Sequence, residues 1–152
     1  MNTIDITVLF VRHEFKLFDI SSWLSLIIRI VTRFKYNHVA IRYSDGAFVY
    51  IVEARSGGVI KATVANWLKH RPDKNWEEGK KLYIDNDLIN YKLGLKYDIP
   101  SLFSQLIYQY TGIWIGSTSS NEENCSEFVA DIIKINKPYL ATAKSLYKLL
   151  HN

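Results

Sequence analysis

The chain has 152 residues, of which 48% are hydrophobic and 14% aromatic. This length supports one buried core, and this composition excludes a disordered or low-complexity chain. The net charge is +4, from 19 basic and 15 acidic residues spread along the chain, so the charge permits an acidic partner without requiring one. We predict a single domain over residues 1–152.

The cysteine content and the apolar segments indicate the compartment. Cys125 is the only cysteine, so no internal disulfide can form, and a lone thiol fits a reducing compartment. The first residues include Asp5 and lack a basic leader, which predicts no signal peptide. The most apolar stretch, 23–31, is too short to span a membrane. We expect a cytoplasmic protein without a membrane span, while a virion-borne or released form and peripheral membrane contact remain open.

The first half of the chain predicts strands and one amphipathic helix. Residues 4–11 are β-branched and apolar, with polar residues alternating at the start, which predicts a strand. Apolar residues recur at helical spacing over 20–34, and Ser21 or Ser22 can cap this helix. Further short elements are predicted as a strand from 59, a helix capped by Thr63 and a strand over 80–84.

The second half predicts helices. Asp98 followed by Pro100 is typical of a helix start. A polar loop over 116–124 leads to Cys125, which begins another helical pattern, and a last helix is predicted over 142–150. Strands followed by helices predict an α+β fold.

Cys125 is predicted to be the first residue of its helix. Asn124 is a preferred N-cap residue type, and Glu127 follows three positions later, the spacing of a capping box. At this position the helix dipole favours the thiolate, and the free N–H of Cys125 can help to bind an oxyanion. The polar loop favours an accessible helix start. The alternative is that Cys125 is only a small buried apolar residue.

Among the four histidines, His38 is the best candidate for a catalytic base because it begins a predicted strand. A two-residue turn at Asp45-Gly46 would place His38 directly opposite Glu53, with Cβ atoms roughly 4.5–5.5 Å apart. The carboxylate could then accept from one imidazole nitrogen and leave the other for the thiol. The alternative is an incidental surface pair.

Other chemistries lack a motif. The chain contains no HExxH, no CxxC pair and no cluster with metal-ligand spacing, so we predict no metal and no other cofactor. It also lacks GxSxG and the GK[ST] phosphate-binding loop. Its carboxylates are not paired for glycoside hydrolysis, and no stripe of aromatic and basic residues favours base stacking. We therefore expect no nucleic-acid partner.

Three segments together resemble one known family. They are DISSWLSLIIRIVTRFKYNHVAIRY, FVYIVEARSGGV, and KYDIPSLF leading to NCSEFVADII. Over residues 4–135, the chain resembles the circularly permuted NlpC-type branch of papain-like cysteine hydrolases, the YiiX-like group related to lecithin:retinol acyltransferase. In that branch the histidine strand precedes the cysteine helix, and the order here is His38, Glu53, Cys125.

The resemblance implies a fold and a set of site residues. The fold would be a permuted papain-like antiparallel sheet packed against helices. NCSEFVAD matches the motif of the catalytic cysteine at Cys125, NHVAI that of the histidine at His38, and VEA that of the third polar residue at Glu53. The same three residues are indicated by the cap and the hairpin.

The residues assigned to substrate binding are Tyr97, Asp98 and Asn124. Tyr97 and Asp98 match the aromatic-acidic pair that precedes the long helix in the family. The alternative is that Tyr97 is a core residue and Asp98 only a helix cap.

Three functions remain open from the sequence. The first is a cysteine amidase or peptidase that acts through an acyl-enzyme, with a peptidoglycan-type peptide as one substrate class. The second keeps the triad and transfers the acyl group to an amine or alcohol, or hydrolyses a lipid acyl group. The third is a non-catalytic binding or assembly domain. Bacterial relatives are often exported, whereas no export signal is evident here, so a cell-wall substrate would require a released or virion-borne protein.

Overall fold

The computed structural model describes residues 3–13, 20–71, 75–116 and 121–152. These residues form a single small α+β domain with one five-stranded antiparallel sheet and six α-helices, which confirms the predicted α+β class. The elements in chain order are β1 (Thr3–Val11), α1 (Ile20–Thr32), β2 (His38–Ser44), β3 (Val49–Arg55), β4 (Gly58–Thr63), α2 (Val64–Lys69), β5 (Trp76–Asp85), α3 (Asn86–Lys92), α4 (Ile99–Thr111), α5 (Cys125–Ile132), a 3₁₀ turn (Pro138–Leu140) and α6 (Ala143–His151).

The sheet has the strand order β4-β3-β2-β1-β5, and each neighbouring pair is antiparallel. Strand β1 is paired on both sides, and its residues 6–11 are all buried. Alternate side chains of β1 pack into two different hydrophobic clusters. Val8 and Phe10 belong to the larger cluster, and Leu9 and Val11 to the smaller one. Both faces of the sheet are therefore covered, as the period-2 pattern of a strand requires.

Helix α5 covers the larger of these clusters. Phe128 of α5 and Leu146 of α6 are fully buried in it, whereas the smaller cluster is closed by Trp67 of α2. Helix α5 contacts β2 and β3 directly. This packing brings the start of α5, and with it Cys125, onto the strands that carry the predicted base and its carboxylate.

Two predicted boundaries differ from the structure. Helix α1 covers Ile20–Thr32, and the predicted cap at Ser21 or Ser22 depends on side chains outside the described residues. Strand β5 covers Trp76–Asp85 rather than only 80–84, because its ladder with β1 continues to the end of that strand. The short helix α3 was not predicted. No helix in the described ranges is long and apolar enough to cross a membrane.

The hairpin between β2 and β3 has a register that differs by two residues from the predicted one. Ser44 pairs with Val49 rather than with Ala47. The carboxylate of Asp45 accepts hydrogen bonds from the N–H groups of Ala47 (3.1 Å) and Phe48 (2.9 Å). These bonds organise a four-residue loop, so the predicted two-residue turn is wrong.

The new register changes how His38 and Glu53 are related. Extending the observed pairing places Glu53 opposite Ala40, so the prediction of direct opposition to His38 is wrong. A shift of two residues nevertheless keeps each side chain on its predicted face. Diagonal neighbours on one face remain within reach of long side chains, and this is the relation between His38 and Glu53.

Candidate active site

Cys125 is the first residue of α5, as predicted, and its helix start is held by Asn124. The Asn124 side-chain oxygen accepts from the N–H groups of Ser126 and Glu127, both at 3.1 Å. The Asn124 amide donates in turn to the Glu127 carboxylate at 3.2 Å, and the Ser101 hydroxyl donates to the same carboxylate at 3.1 Å. The predicted N-cap is confirmed, and α4 and α5 are joined at the nucleophile.

The start of α5 is buried, in contrast to the accessible position expected from the polar loop. Cys125 is 4% exposed. The end of the loop is itself buried because Glu123 forms an ion pair with Lys92 and its N–H donates to the Lys96 carbonyl at 2.9 Å. This pairing of the loop with the segment before α4 brings Tyr97 beside the thiol.

His38 and Glu53 form a buried pair. His38 Nε2 lies 2.8 Å from Glu53 Oε2, and the two residues are 5% and 1% exposed. Burial by itself would raise the pKa of Glu53, but the hydrogen bond from His38 and the charges of His38 and Arg71 hold that pKa well below its usual range. Glu53 is therefore an ionised acceptor that occupies one imidazole nitrogen and leaves Nδ1 for another partner.

The thiol of Cys125 is the neighbouring group that most raises the pKa of His38. Burial opposes charge on both groups, yet their mutual charge and hydrogen bond, with the support of Glu53, raise the pKa of His38 to about 9. The same interaction lowers the pKa of Cys125, which also receives hydrogen bonds from the Val39 N–H and the Tyr97 side chain. The arrangement favours a thiolate–imidazolium pair with a carboxylate behind the imidazolium.

Tyr97 is a near neighbour of Cys125. The two groups lie close enough to shift each other's pKa. Burial, together with the neighbouring thiolate, raises the pKa of Tyr97 well above its ordinary value, so the hydroxyl remains protonated. It therefore stands beside the N–H that was predicted to help to bind an oxyanion, and it can donate to the same oxygen.

The other two residues assigned to substrate binding have structural partners. Asp98 caps α4, and its carboxylate accepts from the Ser101 N–H at 2.6 Å. Asn124 is buried and its side chain is used by the cap of α5. Their assignment to substrate stays a prediction, whereas Tyr97 lies at the sulfur.

Two further residues surround the site without having been indicated by the sequence. The His13 ring centroid lies 4.9 Å from that of His38, and the His13 N–H donates to Asn37 Oδ1 at 2.9 Å. Burial, with the positive charges of His38 and Arg71, lowers the pKa of His13 to about 3, so this ring is neutral. Antiparallel pairing of Val11 with His38 is the signal that could have located His13. Nothing in the sequence pointed to Arg71.

A cleft that reaches Cys125 opens between α1, α4 and the start of α6. Its apolar lining comes from Ile28 of α1, Leu102 and Leu106 of α4, and Ala143 of α6. The cleft is small, with a free volume of about 20 Å³, and polar residues such as Asn37 and Gln105 also line it.

No protein-family model matches this chain, and no curated protein sequence matches it. Over the parts of the chain that the structure describes, no group of three or more His, Cys, Asp or Glu side chains could hold a metal ion. The interpretation of the site therefore depends on its geometry and on the residues that form it.

Proposed function

We propose that this protein is a cysteine hydrolase that cleaves amides or peptides through an acyl-enzyme. One observation carries the proposal: Cys125, His38 and Glu53 are all buried, Glu53 lies 2.8 Å from Nε2 of the imidazole, and the charges of His38 and Cys125 shift each other's pKa towards a thiolate–imidazolium pair. Nucleophilic catalysis by a thiol needs this sequence of groups. A permuted papain-like fold of the NlpC type belongs to the same proposal, since a helix start carries the nucleophile and an antiparallel sheet carries the base.

The reaction has two steps. In the first, the Cys125 thiolate attacks the carbonyl carbon, a C–S bond forms, and the His38 imidazolium gives its proton to the leaving amine as the C–N bond breaks. In the second, neutral His38 takes a proton from water as the water attacks the thioester. The carboxylic acid leaves, and the thiolate–imidazolium pair returns. Glu53 orients the ring and stabilises its charged form throughout.

The developing oxyanion has two donors close to the sulfur. They are the backbone N–H of Cys125 and the hydroxyl of Tyr97, a residue close enough to Cys125 for the two to shift each other's pKa. A substrate carbonyl oxygen placed between them would receive both hydrogen bonds. Loss of one such donor lowers kcat by on the order of 10²–10³-fold in comparable enzymes, so Tyr97→Phe is expected to reduce turnover much more than binding.

A second candidate function is transfer or hydrolysis of a lipid-like acyl group by the same triad. The cleft favours it, because Ile28, Leu102 and Leu106 offer apolar walls next to Cys125. The acyl-enzyme would be the same thioester. The difference is the acceptor, which is an amine or an alcohol for a transferase and water for a hydrolase.

The experiment that tests the proposal detects the acyl-enzyme by mass. Because Cys125 is the only cysteine, a thioester adduct on this chain is assigned without ambiguity. The protein is incubated with short peptide amides and with short- and long-chain esters, and intact mass and product release are followed. We expect an adduct in the wild type, none in Cys125→Ala, and slow formation in His38→Ala. The matched control is His151→Ala, which removes an imidazole remote from Cys125 and is expected to behave as the wild type.

Alkylation by iodoacetamide provides the decisive outcome if the panel contains no substrate. At about pH 7 the native thiol should react faster than the same thiol in urea, where Cys125 has an ordinary pKa. His38→Ala should lower that rate. Slow labelling that His38→Ala leaves unchanged would contradict both catalytic functions and favour a binding or assembly domain. Long-chain esters that give amides when an amine is added would support the second candidate.

A further inference from the structure

Glu53 is shared by more positive groups than one carboxylate can neutralise. Besides His38, the guanidinium of Arg71 approaches it, with Nη2 at 3.2 and 3.4 Å from the two oxygens. Arg55 Nη1 lies 3.7 Å from Oε1. Within the described ranges, Glu53 is the carboxylate that these two guanidinium groups contact. Since the thiolate–imidazolium pair is neutral as a unit, two arginines and one glutamate leave an excess of one positive charge.

The two arginines are held differently. The Arg71 side chain is 14% exposed and its guanidinium lies 4.3 Å from the Trp67 ring centroid, so it is fixed by packing. Its Nε is buried and has no hydrogen-bond partner among the described residues. The Arg55 side chain, at the end of β3, is 55% exposed. Arg55 therefore presents positive charge to solvent. Arg71 has a buried N–H group without a hydrogen-bond partner among the described residues.

An incoming anion could replace Glu53 as the partner of Arg55. At 3.7 Å the contact between Arg55 and Glu53 is too long for a hydrogen bond, so an incoming anion at Arg55 gains a charge-assisted bond without breaking one. The anion also balances the charge of Arg71, whose side chain is only 14% exposed, and an unbalanced charge is more costly at such a buried position. A neutral or cationic group at the same position would do neither.

We propose that Arg55 and Arg71 form an anion subsite beside the triad, which takes a carboxylate carried by the substrate close to the bond that is cleaved. This inference rests on the proposed function and names its substrate class: acyl compounds, peptides included, with a negative charge near the scissile bond. The subsite adjoins the carboxylate that holds His38, so its anion is assigned to the substrate that the triad cleaves.

The test compares alkylating reagents that differ only in charge. Iodoacetate and iodoacetamide form the same bond, from the Cys125 sulfur to carbon, as iodide leaves. Iodoacetylglycine and iodoacetylglycinamide form a second pair whose charge lies farther from the sulfur. The measured quantity is the ratio of anionic to neutral second-order rate constants at about pH 7, where the carboxylates are ionised.

Arg55→Gln should lower this ratio by about three- to ten-fold, the size expected for the loss of one charge near a partly solvated site. Arg55→Lys keeps the charge and should keep most of the ratio. Arg42→Gln removes the same charge from β2, where Arg42 binds Glu78, and should leave the ratio at the wild-type value. High salt should reduce the wild-type ratio, which tests the same charge without any substitution.

A ratio that neither Arg55→Gln nor salt changes, in both reagent pairs, overturns the anion subsite. Fast labelling by the neutral reagents that still depends on His38 would then leave the hydrolase proposal intact. Slow labelling by the neutral reagents, insensitive to His38→Ala, contradicts the hydrolase and the subsite together. The two failures are therefore distinguishable within one data set.

Discussion

Replacement of Glu53 by glutamine isolates the role of its charge. Glu53→Gln keeps the size of the side chain and an oxygen that can accept from His38 Nε2, now 2.8 Å from the carboxylate. The negative charge is lost, and Arg71 loses its ionic partner. A change in the pKa values of Cys125 and His38 would then result from the lost charge rather than from a lost hydrogen bond.

The size of the effect follows from the titration of His38. Its pKa is raised from 6.5 to about 9, and a rise of about 2.5 corresponds to about 3 kcal/mol in favour of the imidazolium. Burial works against this rise, and Cys125 and Glu53 produce it together. If Glu53 supplies about one third to one half, the variant loses about 1–2 kcal/mol, or about ten-fold in the equilibrium between ion pair and neutral pair.

The assay is the pH dependence of Cys125 alkylation by iodoacetamide. Since the imidazolium stabilises the thiolate, the pKa of Cys125 rises when that of His38 falls. The rate at about pH 6 should therefore drop about ten-fold in Glu53→Gln, whereas the variants should converge at about pH 10, where any accessible thiol is ionised. Glu78→Gln, the same change on the edge strand β5, should follow the wild type. Superimposable profiles for Glu53→Gln and wild type would refute the reasoning, and an equal loss at every pH would indicate altered access instead.

Three further predictions concern stability. Gly58→Ala should destabilise the fold by about 1–3 kcal/mol in urea unfolding. Gly58 has φ +103°, and a Cβ there would lie 2.5 Å from a backbone carbonyl oxygen. The control is the neighbouring Gly57→Ala, whose Cβ would meet no atom within 4 Å and which should cost less than about 0.5 kcal/mol. Asn124→Ala removes the cap of a buried helix start and should cost about 1–2 kcal/mol, with no loss meaning that the cap is redundant. Thermal unfolding should depend on pH mainly on the acid side. The lowered pKa of Glu53 stabilises the fold above 4.5, and this stabilisation is lost at lower pH. Between 6.5 and about 9 the folded pair holds one proton on His38 and the unfolded chain holds one on Cys125, so the pair adds no slope there. The melting temperature should therefore fall at acid pH and stay flat from about pH 7 to 8, and a steep fall within that window would contradict the ion pair.

Local rules were sufficient to place Cys125 at the start of a helix. The position of Cys125 at the first turn of α5 follows from Asn124 as the cap and from helical spacing of the apolar residues after it. Both signals act between residues a few positions apart, so they persist whatever the rest of the chain does. The type of fold followed in the same way, from strand periodicity in the first half and helical periodicity in the second.

The hairpin is an intermediate case. Asp45-Gly46 correctly indicated a reversal of the chain, but the Asp45 side chain bonds two successive N–H groups and lengthens the loop to four residues. The resulting register differs from the predicted one by an even number of residues. His38 and Glu53 therefore remained on one face and met diagonally. An error of one residue would have separated them.

The surroundings of the triad depend on contacts between distant segments. Tyr97 reaches the thiol because the loop before α5 pairs with the segment before α4, and Arg71 reaches Glu53 from the end of α2. The burial of Cys125 follows from the packing of α5 on β2 and β3. Side-chain identity and short-range spacing cannot specify such contacts, because each depends on the relative placement of elements that are far apart in the chain. The residues that supply the chemistry were thus readable in the linear chain, whereas the charge, burial and hydrogen bonds that tune them arise only when the helices pack on the sheet.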